Sequence, residues 1–282
     1  MTARGFGLVE LMLSLAIGTL LALAASAMLT GAHAAYQRNS AAARLDDSGR
    51  QALAMMARAV RQAGYVETGA PAPWPAALTG LDASGVAQGG HGIDGPWPAA
   101  VNGSDVLAVR FAGAGSGGGD GSMTDCAGFA IGAGEEGWSI FYVATGADGE
   151  GELRCKYRGA SGWGADAIVR GVDSLQILYG IDTDDPADGV PNRYLNATEV
   201  AALDAAGDGW RRVASVRIAL LLHGERHSDP GAPAAMYDLF GSGYTAIAGG
   251  RDAGVAIDEK VLPAAQRQRV RRVVGATVFV RN

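Results

Sequence analysis

Hydrophobic positions fall along this chain in three successive patterns, and each predicts a different element. The first is continuous: from Leu11 to Gln37 there is no Asp, Glu, Lys or Arg, and only His33 stands near the far end. A run of that length crosses a hydrocarbon core of ~30 Å as a helix. Glu10 is a lone carboxylate at its entering end. A charge costs roughly 2.5–3.5 kcal/mol at the bilayer centre and less near the interface, so Glu10 calls for a partner. The second pattern keeps the helical period but becomes amphipathic. Leu45, Ala52, Met56, Ala59 and Ala63 form one face, and Arg38, Arg44, Asp47, Arg50, Arg58 and Arg61 occupy the rest. Gly64 reads as the stop signal. Together the two patterns predict one helix over Phe6 to Ala63, roughly 87 Å long, half membrane span and half packing face. Gly18, Gly31 and Gly49 each lower helix propensity by ~1 kcal/mol relative to Ala, so bending or local melting is expected there.

The third pattern has the period of a strand. Leu107, Val109 and Phe111 share a face of the segment Val106–Phe111. Further strands are expected over Trp138–Thr145, Glu152–Tyr157, Ile168–Arg170, Val172–Tyr179 and Val270–Val280. Val213–His223 is apolar enough to be buried on both faces. Residues 197–207 predict a short helix. Residues 66–104, with Pro71, Pro73, Pro75, Pro96 and Pro98, read as a long surface connection whose Trp74 and Trp97 dock on the sheet. Residues 224–262 read as loop-rich. The fold class is α+β: a long N-terminal helix laid on an antiparallel β-sheet. Its parts are a membrane-spanning half over 6–35, an amphipathic half over 36–64, and a β-rich globular domain over 65–282.

Composition narrows the function. The formal net charge is −6 and no Lys/Arg block stands out, which removes the electrostatic case for nucleic-acid binding. The 43 glycines imply long irregular loops. The glycine-dense stretch Gly113–Gly121 lacks the Lys-Ser/Thr and helix start of a phosphate loop. Cys126 and Cys155 are the two cysteines, both beyond the apolar run, and an even count in an exported domain predicts one disulfide. Asp182, Asp184, Asp185 and Asp188 form the densest acidic cluster, with Asn192 nearby. Alternating oxygen ligands of this kind suit Ca²⁺, but the spacing does not meet the EF-hand pattern, and a solvated turn is the plainer reading. His223, His227 and Asp229 offer a second ligand set, weighed against an ordinary polar strand end. No nucleophile elbow or HExxH motif is present, so neither an enzyme nor a cofactor is expected.

Two ordinary readings of the N-terminus are weaker. A cleaved secretory signal would use Ala32-His33-Ala34, but it does not account for an acid at the head of the apolar run. A plain signal anchor explains the length but not the Gly-Phe ahead of Glu10. The stretch Gly5-Phe6-Gly7-Leu8-Val9-Glu10 resembles the class III signal of type IV pilins and pseudopilins. That resemblance implies a leader over residues 1–5, cleavage between Gly5 and Phe6 by prepilin peptidase, and N-methylation of Phe6. It also implies that Glu10 pairs with the amino terminus of a neighbouring subunit during assembly. A buried carboxylate is tolerable when it meets a cation. Gly7 departs from the more usual Thr. The segments 49–65, 171–182 and 277–282 are similar to PilW-type minor pilins. The resemblance therefore implies a minor pilin that primes fibre assembly and sits at or near the tip. Its partners would be other minor pilins and the major pilin, and it would lie in the bacterial inner membrane with a periplasmic globular domain. The other readings are a J-type pseudopilin of type II secretion and a membrane-anchored binding module that never polymerises.

Overall fold

Helix α1 (Leu8–Gln62) runs for 55 residues without interruption. The computed structural model describes residues 7–67, 74, 76–203 and 208–280. Glu10 opens the helix by accepting the Gly7 N–H at 3.0 Å. Hydroxyls on Ser14, Thr19, Ser26 and Thr30 donate to carbonyls three or four residues back, so these four donors are satisfied within the helix. The chain leaves the helix at Ala63, and Gly64 takes a positive φ of 74°. The helix stays exposed through Asn39, then buries Ala42, Leu45, Gly49, Ala52, Met56, Ala57, Ala59 and Val60. Those positions recur at three- and four-residue steps, as a single packing face requires.

That face lies mainly on β11 (Arg271–Phe279), with β8 (Val213–His223), β2 (Val106–Ala112) and β5 (Gly162–Arg170) beside it. The single sheet expected from the sequence is two. One is a five-stranded antiparallel meander in the order β1 (Leu78–Leu81), β2, β3 (Glu136–Thr145), β4 (Gly151–Gly159), β5. The other has four antiparallel strands in the order β11, β8, β6 (Val172–Ile181), β7 (Arg193–Leu195). Gly171 makes the switch from β5 to β6 at φ 74°, and a Cβ there would lie 2.7 Å from the His223 carbonyl oxygen. Every residue of β6 is buried. Leu175, Ile177 and Tyr179 face the core shared with α1, while Leu178 faces a smaller cluster that includes Leu239, Phe240, Val255 and Leu262. That smaller cluster is covered by α4 (Ser242–Ala248) and the ribbon of β9 (Met236–Asp238) and β10 (Ala256–Asp258). Two short helices, α2 (Ala197–Ala202) and α3 (Asp208–Arg211), precede β8.

Three expectations need correction. Gly18, Gly31 and Gly49 do not break α1, and Gly49 is instead a contact point: a Cβ on it would meet Val274 Cγ2 at 2.8 Å. The segment 66–104 is not only a surface connection, since it supplies β1, buries Leu78 and Val86 and tucks Trp74 away, while Trp97 stays exposed. The segment 224–262 holds β9, α4 and β10 instead of loop alone. Val213–His223 is buried along its length except at Arg217.

Candidate functional site

The free half of α1 is the largest exposed apolar surface among the described residues. Leu8, Val9, Leu11, Leu13, Leu15, Leu20, Leu21 and Leu23 are all exposed. Its best window has a mean hydropathy of 2.2 and no part of it is buried against the domain. Glu10 sits at the head of this surface, exposed, held only by the Gly7 N–H and without a cationic partner among the described residues. Its geometry leaves one carboxylate oxygen free to accept a second donor. Gly5 and Phe6, the expected processing residues, lie outside the described residues.

Cys126 and Cys155 are joined in a disulfide with Cα atoms 5.9 Å apart. Cys155 is buried in β4, and the bond ties the loop between β2 and β3 to the middle of the five-stranded sheet. Asp125 braces the same loop by accepting the N–H groups of Ala127 and Phe129, at 2.9 and 3.0 Å. Arg58 of α1 donates to Thr124, so helix, loop and sheet are fastened at one place.

Asp182, Asp184 and Asp188 converge, with ligand-capable oxygens within 4.8 Å of one another, while Asp185 stays outside the group. Their hydrogen bonds are local. Asp182 accepts the N–H groups of Asp184 and Gly189 at 2.9 and 2.7 Å, which hold its carboxyl below the usual range. Asn192 donates to Asp184 at 3.1 Å and accepts from the Thr183 N–H. Backbone donors thus account for the fold of this turn. Among the described residues His223, His227 and Asp229 do not come together as a ligand set. His223 is buried at the end of β8, His227 is exposed, and Asp229 lies 3.7 Å from Arg38 of α1.

Two polar clusters had no counterpart in the sequence reading. In the first, Arg269 grips Glu150 with both nitrogens at 2.8 and 3.0 Å, and Arg226 adds bonds of 3.1 and 3.2 Å. Hydrogen bonds from Arg269 hold the Glu150 carboxyl down at about 2. Next to it, fully buried Arg271 bridges Asp173 and Glu259 at 2.7 and 2.8 Å. The alternation of Arg269 and Arg271 at the start of the last strand was the available signal, but Glu150 lies 119 residues from Arg269 and Asp173 lies 98 from Arg271. The second cluster is acidic. Asp105 accepts the N–H groups of Ala83 and Ile177, and Asp252 accepts the Tyr244 hydroxyl at 2.8 Å. Asp82 lies between them with one oxygen buried and unpartnered. No Lys or Arg pairs with these three among the described residues. Burial, followed by the Asp252 charge, raises Asp82 to about 6, and burial raises Asp105 as well. Like charges packed this closely in a buried site disfavour each other's ionised form.

A model of the prokaryotic N-terminal methylation motif matches residues 1–26. Among solved structures, the chain is similar to a type IV-like pilin, TTHA1219, from Thermus thermophilus, at 16% identity. That match covers 84% of this chain and 97% of the other with a TM-score of 0.41. No curated protein sequence matches the chain. The globular half is matched over residues 140–282 by the model of the type IV pilus-assembly protein W family, and the chain belongs to that family.

Proposed function

We propose that this protein is a minor pilin that helps prime fibre assembly and is incorporated at or near the fibre tip. The observation that carries the reading is the division of α1. Its second half packs one face on the globular domain, and its first half projects bare, apolar and headed by Glu10. Such a half-helix is stable in only two settings, a bilayer or a bundle of like helices, and assembly moves it from one to the other. The N-terminal methylation motif implies processing by prepilin peptidase between Gly5 and Phe6. Partner pilins would then supply the apolar neighbours and the amino-terminal charge.

The direct test is mass spectrometry of the native N-terminus together with a search for the protein in sheared fibres. The expected result is a chain beginning at N-methyl-Phe6 and present in the sheared fraction. An intact Met1 terminus, or a processed chain found only where type II secretion is affected and never in fibres, would refute it.

A further inference from the structure

The two main sheets end on strands whose outer backbone groups have no ladder partner, and such edges are templates for pairing with another chain. The ends differ in how they are protected. Strands β1 and β7 have only four and three residues. Strand β5 carries Asp166 and Arg170 and shifts register against β4. Strand β11 has nine residues, and from Val273 to Val280 the chain holds no charged residue and no proline.

Hydrogen bonds at its two ends fix which way its backbone faces. The Gly224 N–H donates to the Val270 carbonyl and the Val280 N–H to the Ala214 carbonyl, at 2.8 and 2.9 Å. Bonded and non-bonded pairs alternate along an antiparallel ladder, so the even-numbered residues of β11 are the ones that bond β8. The odd-numbered residues Val273, Gly275, Thr277 and Phe279 turn their N–H and C=O groups away from β8, and all four are exposed. Among the described residues no other backbone group meets them. Their side chains form an uncharged stripe in which Val273 is 39% and Phe279 59% exposed. Helix α1 lies on the opposite, even-numbered face, where Gly49 packs on Val274 and Val278 joins the core.

Position and direction narrow the occupant. Asp46 lies 3.8 Å from Arg272 and Gly49 packs on Val274, so helix and strand advance in the same direction. Two copies of β11 paired antiparallel would point their α1 helices opposite ways, which a shared membrane or helix bundle excludes. A neighbour whose helix packs along α1 instead brings its own globular domain beside this edge.

We propose that the free edge of β11 takes up an extended segment of a neighbouring pilin by strand addition. Main-chain bonds to Val273, Gly275, Thr277 and Phe279 supply the affinity, and apolar side chains at alternate positions of the segment cover Val273 and Phe279. The proposal rests on the minor-pilin reading above, so the experiment has to separate the two.

The full chain, with the photo-crosslinker p-benzoylphenylalanine in place of Phe279, is produced in cells that assemble fibres, and adducts in sheared fibres are identified by mass spectrometry. The expected adduct is another pilin. Thr277→Pro removes an N–H that β8 does not use, so the domain should keep its melting temperature while the adduct falls roughly tenfold. Thr277→Ser keeps that N–H and should keep the adduct. If the proline variant does not fold, Val273→Lys, which sets a charge on the exposed edge, should give the same loss. A chain missing from fibres refutes the minor-pilin reading, and the proposal falls with it. A chain present in fibres without an adduct, or with one that the folded edge variants leave undiminished, overturns strand addition alone. An adduct to a second copy of this chain, or to a protein that is not a pilin, overturns the occupant.

Discussion

Single residues in this protein carry opposing demands, and Gly49 is the clearest. Ala in its place would favour the helix by ~1 kcal/mol. Its Cβ, however, would lie 2.8 Å from one Val274 methyl and 3.0 Å from the other. Valine is stiff at χ1, so the strand has to shift, and overpacking of this kind costs about 1–3 kcal/mol. Gly49→Ala should therefore lower unfolding free energy by up to about 2 kcal/mol. Val274→Ala in the same chain should recover part of that loss, giving a measurable coupling in a denaturant double-mutant cycle; strict additivity would count against the contact. Asp82 makes an analogous case for charge. Its folded value of about 6 stands above an ordinary carboxylate near 3.8, set by burial and by Asp252, with Asp105, Glu199 and Thr198 around it. The folded state thus holds a proton that the unfolded chain has released, and its stabilising effect is present below ~4 and lost as pH rises through ~6. Glu150 has the opposite sign: held at about 2, it contributes stability that is lost as pH falls toward that value. Asp82→Asn should flatten the stability profile between about pH 4 and 6 while leaving the acid limb in place. An unchanged slope in the variant would remove Asp82 as its source.

At the scale of elements, what was legible in the sequence followed from length. The period of α1 extends over 55 residues, and β3, β6, β8 and β11 each show nine or more, so their patterns survive local noise. Strands β7, β9 and β10 have three residues each, too few to display a period, and they exist because longer partners hold them. The fold class was readable, but the division into two sheets was not. That division turns on Gly171 and on Asp105, whose N–H bonds Leu175 across the switch. Likewise the Arg269–Glu150 grip joins residues 119 apart, a pairing that no local pattern encodes. The disulfide was suggested by cysteine count, and the structure adds its mechanical context in the loop braced by Asp125 and Arg58. With a sequence separation of 29, its loss is worth roughly 3–4 kcal/mol in the chain-entropy account. Cys126→Ala/Cys155→Ala should lower the denaturation midpoint accordingly and speed hydrogen exchange between Gly113 and Glu135 first. Exchange that quickens uniformly across the domain would mean the bond does not act on this loop.

For the whole molecule the decisive question is what Glu10 meets when the chain leaves the bilayer. In the single chain its carboxylate accepts one backbone N–H and has no cation nearby among the described residues. A carboxylate packed among apolar helices needs a charge partner or it is strongly disfavoured. On the proposed minor-pilin reading, a neighbour's amino terminus would provide that partner in a fibre. Glu10→Ala removes the attraction, and it also removes a group that resists membrane entry, so insertion should be equal or better. An anchored module that never polymerises would tolerate the change. A minor pilin should instead lose recovery in sheared fibres and co-purification with partner pilins by tenfold or more, the effect of roughly 1.4 kcal/mol or greater per contact. Glu10→Gln separates charge from shape, because it retains a helix-capping oxygen for the Gly7 N–H but not the negative charge. If the role is electrostatic, Gln should fail as Ala does; if the role is capping alone, Gln should rescue. Both variants must be compared at equal membrane levels, because fibre number alone can be sustained by other minor pilins. Recovery of Glu10→Ala equal to wild type in fibres and in pull-downs would remove the pairing role and leave α1 as an anchor.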